Sequence, residues 1–134
     1  MKGLDTNVLV RYLTQDDPRQ AAQANRVIGQ AAESGVRLVI QPVVICELIW
    51  VLEDCYGFRK GDINTVIERI LRTAQFEVVD KETVWQAFGD WTGGRGDFAD
   101  YYIGRANARA GAASTVTFAR ALRGGRGFEV LSAS

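Results

Sequence analysis

The chain contains no histidine, and that single absence removes a large part of enzyme chemistry. Without an imidazole there is no Ser-His-Asp or Cys-His catalysis, no histidine general acid or base, and no His-ligated zinc or iron. Cysteine is scarce too. Cys46 and Cys55 fit no zinc spacing and read as reduced core residues, not as a disulfide. Long apolar runs are missing: the longest, around Val43, is interrupted by Glu47 and is too short to span a bilayer. The start Met1-Lys2-Gly3-Leu4-Asp5 has no apolar signal region before its first acid, so a cytoplasmic location is expected. Net charge is also absent. With 16 basic residues against 16 acidic ones, bulk charge does not announce a nucleic-acid binder.

What remains is a chemistry of carboxylates, hydroxyls, Lys and Arg, whose natural metals are the oxygen-loving Mg²⁺ and Mn²⁺. The 134 residues, 47% hydrophobic and 24% charged, suit one ordinary globular domain over residues 1–134 with a core of its own. The distribution of charge says more than its sum. From Arg95 onward the bases Arg95, Arg105, Arg109, Arg120, Arg123 and Arg126 face only Asp97, Asp100 and Glu129. Arg greatly outnumbers Lys, and its planar fork suits phosphate. A solvated surface in an Arg-rich chain explains the same pattern equally well.

Taken in order, the residues alternate between short β-type runs and helical patterns. Lys2–Leu4 opens as a strand, and a helix follows from Val8, capped by Thr6 or Asn7. Asp5 sits where strand gives way to helix, a place for a ligand group in open α/β sheets and equally for a plain cap. Asp16-Asp17-Pro18 starts a second helix that stops near Ser34-Gly35. Arg37–Ile40 is the second strand, and Pro42 opens a helix to about Glu53. Within that helix Val43, Val44, Trp50 and Val51 fall on the side of Glu47, predicting a carboxylate that loses solvation and needs a partner, or one snorkelling at the stripe's edge.

A break at 56–61 precedes an amphipathic helix from Asp62 to Ala74. Phe76–Val79 reads as the third strand, followed by a helix through Val84, Trp85, Phe88 and Trp91, whose aromatic spacing is that of a core face and not of a base-stacking platform. Gly-rich residues 92–96 lead into a helix from Asp97 to Ala110. Ser114–Thr117 makes a fourth strand and Phe128–Leu131 a weak fifth. Strands alternating with helices predict a central, mostly parallel sheet of four to five strands in a three-layer α/β/α arrangement.

Asp97 and Asp100, three apart at the start of a helix, lie about 5–6 Å apart at Cβ and repel unless something positive sits between them. The same spacing is a near match to a capping box. With Asp5 and Glu47 they make four acids that suggest a metal site. A haloacid-dehalogenase arrangement fits less well, since it wants a second Asp where Asn7 stands.

Leu4-Asp5-Thr6-Asn7-Val8-Leu9, Glu47 in the helix after the second strand, Asp97-Phe98-Ala99-Asp100 opening a helix, and Val116-Thr117-Phe118 near the end together resemble the PIN-domain ribonucleases. Within them the chain is similar to the VapC-type toxins of bacterial toxin–antitoxin pairs, over its whole length and in the right order. The resemblance implies an RNA-cleaving metal site at the carboxyl end of the sheet. There Asp5, Glu47 and Asp100 match the three core acids, Asp97 an auxiliary one, Thr6 the hydroxyl beside the first acid, and Asn7 a hydrogen-bonding neighbour. It implies Mg²⁺ or Mn²⁺ as cofactor, RNA as substrate and a VapB-type antitoxin as partner, its tail setting an Arg against Asp5, Glu47 and Asp100. A homodimer, with Tyr12, Trp50 and Tyr56 as its contact region, is also implied. DNA is reached only through the antitoxin, and no membrane is involved. Arg120, Arg123 and Arg126 would grip the RNA backbone. One position departs from the pattern: relatives carry an acid directly after the Thr-Phe pair, and here that position is Ala119. Either Asp97 substitutes for it, or the chain is a catalytically impaired module, natural or engineered, that binds antitoxin or RNA without cleaving.

Overall fold

The computed structural model describes residues 1–132, which contain six α-helices and five short strands. The chain divides into two compact units, Met1–Asp80 and Lys81–Ser134.

The first unit is built on β1 (Lys2–Gly3), β2 (Leu38–Ile40) and β3 (Phe76–Val78), in that spatial order and parallel throughout. Parallel neighbours cannot be joined by a tight hairpin, so the chain must cross over between them. It does so through α1 (Thr6–Thr14) and α2 (Pro18–Ser34), then through α3 (Pro42–Asp54) and α4 (Lys60–Arg72). Register is fixed by Gly3 opposite Val39 and Ile40 opposite Val78. Burial alternates along β2, with Leu38 and Ile40 inside and Val39 half-buried.

The boundaries of α2 follow from local chemistry. Asp17 caps its start by accepting from the Gln20 N–H at 3.0 Å, and Pro18 occupies the first turn, where its missing N–H costs nothing. Gly35, at φ 68°, ends it in the left-handed conformation that glycine adopts without strain. Between them Ala21, Ala24, Ile28 and Ala31 line the buried stripe.

Only one of the two consecutive acids can cap the helix. Asp16 instead takes hydrogen bonds from the Tyr56 hydroxyl at 2.6 Å, the Thr14 hydroxyl at 2.8 Å and Arg11 Nη1 at 3.0 Å. The Tyr56 and Thr14 hydroxyls, then Arg11, hold its carboxyl down from 3.8 to about 2. The unfolded chain therefore binds more protons than the folded one between those values, and stability rises with pH across that window. The contribution is whole above pH 3.8 and lost as pH falls toward about 2. Asp16→Asn is expected to flatten that part of the stability–pH profile and to lower stability at neutral pH, as thermal unfolding at a series of pH values would show.

Helix α3 is apolar on more than one side. Val44, Ile45, Leu48, Ile49 and Leu52 are buried, whereas Val43 and Trp50 are 63% and 60% exposed. Glu47 belongs to the exposed side. The expected desolvation of Glu47 is therefore not found, because apolar neighbours on a helix apolar nearly all round do not say which face turns inward.

The second unit holds α5 (Lys81–Gly93), α6 (Phe98–Arg109), β4 (Thr115–Thr117), a 3-10 turn at Arg120–Leu122 and β5 (Phe128–Val130). Strands β4 and β5 pair in parallel, Thr115 opposite Phe128 and Thr117 opposite Val130. Phe88 and Trp91 are buried, 6.2 Å apart and stacked, and Phe98 meets Trp91 edge-on at 6.4 Å. Phe88 and Trp91 are core, as their spacing predicts, whereas Trp85 is half-buried. Parallel pairing throughout and strands alternating with helices fit the expected α/β/α class, but the five strands pair as a three-stranded and a two-stranded sheet and not as one sheet of four to five. No helix among the described residues is long and apolar enough to cross a membrane.

Candidate functional site

Strand β1 ends at Gly3, and its extension is secured by the Leu4 N–H bonding to the Val39 carbonyl at 2.8 Å. The next residue, Asp5, is the N-cap of α1 and is exposed. Its Oδ1 accepts from the Thr6 N–H at 2.8 Å, and its Oδ2 has no bond among the described residues. Thr6 is buried, and its hydroxyl donates to Glu47 Oε1 at 2.7 Å. A single threonine thus links two carboxylates, one by its N–H and one by its O–H, the second 41 positions along the chain from the threonine. Removing the hydroxyl in Thr6→Val is expected to lower stability by about 1 kcal/mol, the net worth of one hydrogen bond to a charged group at a half-exposed site. Thr6→Ser should restore it in the same thermal unfolding measurement.

Asp97 and Asp100 occupy the N-terminus of α6 in a reciprocal capping box. Asp100 Oδ2 accepts from the Asp97 N–H at 3.2 Å, and the Asp97 side chain accepts from the Asp100 N–H. Free N–H groups of a helix start are thereby satisfied and two negative charges sit at its positive end. Repulsion between the two acids is offset by that placement. The loop before them is fitted closely: a Cβ on Gly94 would run into the Tyr101 hydroxyl, which itself accepts from the Gly96 N–H at 3.1 Å.

The remaining candidates are placed as follows. Asn7 is exposed at the mouth of a groove of about 360 Å³ that Val8, Arg11 and Ala24 also line. Arg120, Arg123 and Arg126 are exposed in and after the 3-10 turn. Ala119 is the N-cap of that turn, half-buried, its N–H donating to Thr117 Oγ1 at 3.0 Å. Cys46 and Cys55 are both free thiols, but neither is a core residue as expected: Cys46 is half-buried and Cys55, at the end of α3, is exposed. Burial pushes the Cys46 thiol up to about 11, so it is not a thiolate nucleophile or ligand at neutral pH.

Among the described residues no three His, Cys, Asp or Glu side chains come together closely enough to hold a metal by themselves. The donor chemistry nonetheless suits one class of ion. Every candidate ligand is an oxygen, and Asp5, Glu47 and Asp100 each keep at least one carboxylate oxygen outside the bonds described. That set fits hard divalent cations such as Mg²⁺ or Mn²⁺ and not zinc. Nothing local in the sequence signals the Thr6–Glu47 bond. The Arg105–Asp90 pair, bidentate at 2.7 and 2.8 Å, likewise has no local sequence signal.

The sequence profile of the PIN domain matches residues 3–122 of this chain. The chain belongs to the PIN-domain family. That match runs from the first strand through the 3-10 turn and so takes in Asp5, Glu47, Asp97, Asp100 and Ala119 alike. The PIN chain is also similar to the VapC ribonuclease of Aquifex aeolicus (strain VF5), at 28% identity over 120 residues, covering 90% of this chain and 88% of the relative. No solved structure matches it.

Proposed function

We propose that this PIN domain, residues 1–134, is a VapC-type toxin: a divalent-metal-dependent endoribonuclease that hydrolyses RNA phosphodiester bonds and is neutralised by a VapB-type antitoxin. The observation that carries the reading is the coupling of Asp5 to Glu47 through Thr6, in a PIN chain similar to a VapC ribonuclease over 90% of its length.

Asp5, Glu47 and Asp100 are the proposed ligands of Mg²⁺ or Mn²⁺, with Asp97 auxiliary. When bound, such an ion supplies an acidified water and offsets charge on the phosphate undergoing attack. The chain's own residues do the positioning. The Thr6 hydroxyl fixes the Glu47 carboxylate by one oxygen, and the Thr6 N–H fixes Asp5 in the same way, so both ligands are set before substrate arrives. Asp100 is held likewise by the start of α6. Arg120, Arg123 and Arg126 offer exposed guanidinium groups to the RNA backbone, without reading its sequence. Asn7 stands beside Thr6 as a hydrogen-bonding neighbour. The antitoxin tail supplies an Arg to the acids in place of the ion, and DNA is contacted only through that partner. The chain works as a cytoplasmic homodimer through the outer side of α3 at Trp50, with Tyr12 and Tyr56.

The test is cleavage of end-labelled structured RNA with Mn²⁺ or EDTA by the parent chain, Asp100→Asn and Ala119→Asp. Metal-dependent cleavage by the parent, lost in Asp100→Asn, is the expected result. Ala119→Asp is expected to fold, because an acid is a good residue for an N-cap position. Cleavage by Ala119→Asp alone would instead establish the impaired, binding-only module, and equal metal-independent cleavage by all three would sink the mechanism.

A further inference from the structure

A cleft of the second unit lies away from the acids' own bonds, between α6, the loop before β4 and the glycine-rich loop before β5. It measures about 580 Å³, within the range of small-molecule sites. Small residues form its floor, Gly104 and Ala108 of α6 among them. Gly104 is required there: a Cβ would stand 2.6 Å from Cζ of Phe128, so the ring packs directly on the helix backbone. Tyr101 meets that ring edge-on at 6.0 Å and fixes its orientation. The two guanidinium groups of the cleft differ. Arg105 is engaged by both oxygens of Asp90, whereas Arg126 is exposed and has no bonded partner among the described residues. Arg126 is carried between Gly124 and Gly127, at φ 79° and 83°, a backbone that only glycine adopts readily. The hydroxyl of Ser114 is exposed at the rim.

We propose that this cleft is a nucleotide subsite, taking one RNA base against Phe128 and its phosphate on Arg126; the assignment of RNA rests on the ribonuclease reading above. An aromatic wall beside one uncommitted guanidinium is the pairing that single-stranded nucleic acid uses, base on ring and phosphate on cation. A plain anion would have no use for the ring, and an apolar ligand none for the charge. Placement agrees with the site. Gly104 follows Asp100 by one helical turn on the same face of α6, roughly 6 Å along the axis. A strand with its scissile phosphate at Asp100 therefore sets a neighbouring nucleotide over the cleft, which makes the cleft a determinant of where RNA is cut.

The experiment is amide NMR of the full chain in EDTA, titrated with 5′-AMP, 5′-UMP, adenosine and inorganic phosphate. Saturable shifts at Ser114, Arg126, Gly127 and Phe128 are expected with the nucleotides, about tenfold or more weaker with adenosine or phosphate. Arg126→Ala and the cleft-filling Ala113→Trp, at an exposed position, should each weaken nucleotide binding to a similar degree, with unchanged spectra elsewhere. Phosphate binding as tightly as nucleotide would show an adventitious anion site and overturn the proposal, as would unaltered nucleotide binding in Ala113→Trp. Because nucleotide binding is read separately from RNA cleavage, the two proposals fail separately. Shifts in a chain that cuts no RNA uphold the subsite and remove the nuclease. RNA cleavage with unchanged KM in Ala113→Trp, without nucleotide shifts, removes the subsite and leaves the nuclease.

Discussion

Asp5→Asn is expected to lower metal-dependent RNA cleavage by about a hundred- to a thousandfold while leaving the fold intact. Asp5 has a cap role and a proposed ligand role, and the substitution separates them. As N-cap of α1 it accepts the Thr6 N–H through Oδ1, and Asn caps a helix as well as Asp does. The shape is unchanged and the cap is retained. What leaves is one negative charge from the oxygens proposed above to hold a cation. A ligand worth several kcal/mol of transition-state charge stabilisation corresponds to that loss of rate, at about 1.4 kcal/mol per factor of ten. Asp5→Ala removes cap and charge together and should cost about 0.5–2 kcal/mol of stability besides. Initial rates on labelled RNA at saturating Mn²⁺, set beside thermal unfolding of both variants, separate the roles. Full cleavage by Asp5→Asn would reduce Asp5 to a helix cap.

How far such a site can be read from sequence depends on how local its chemistry is. The limits of α2 are written in Asp17-Pro18 and Ser34-Gly35, because caps act within a turn. The Asp97–Asp100 box is legible for the same reason. By contrast, two acids precede Pro18, and nothing nearby says that Asp16 serves Tyr56, 40 positions on, while Asp17 takes the cap. The link from Thr6 to Glu47 is likewise invisible until α1 and α3 are folded beside one another. The orientation of α3 is ambiguous for a different reason. Its apolar residues nearly encircle it, so periodicity identifies the neighbours of Glu47 without saying that their side faces solvent.

That double-sided helix gives the second large effect, on stability. Leu48 is fully buried, and Leu48→Ala should cost about 2–5 kcal/mol, from lost transfer energy and the cavity left behind. Against a total of roughly 5–15 kcal/mol this is a large fraction, and the melting temperature should fall by roughly 10 °C. Trp50, two positions on, is the counter-case. At 60% exposed it has little to lose within the monomer, and Trp50→Ala should change unfolding by no more than about 0.5 kcal/mol. If the outer side of α3 joins two copies, the same substitution removes an aromatic anchor worth about 2 kcal/mol or more, raising the dimer dissociation constant roughly thirtyfold. Sedimentation at several concentrations reads that effect, and thermal unfolding of the dissociated chain reads the other. A dimer that forms equally well with Trp50→Ala would place its contact elsewhere. A Leu48→Ala protein as stable as the parent would mean that the inner stripe of α3 is not what holds Glu47 beside Thr6.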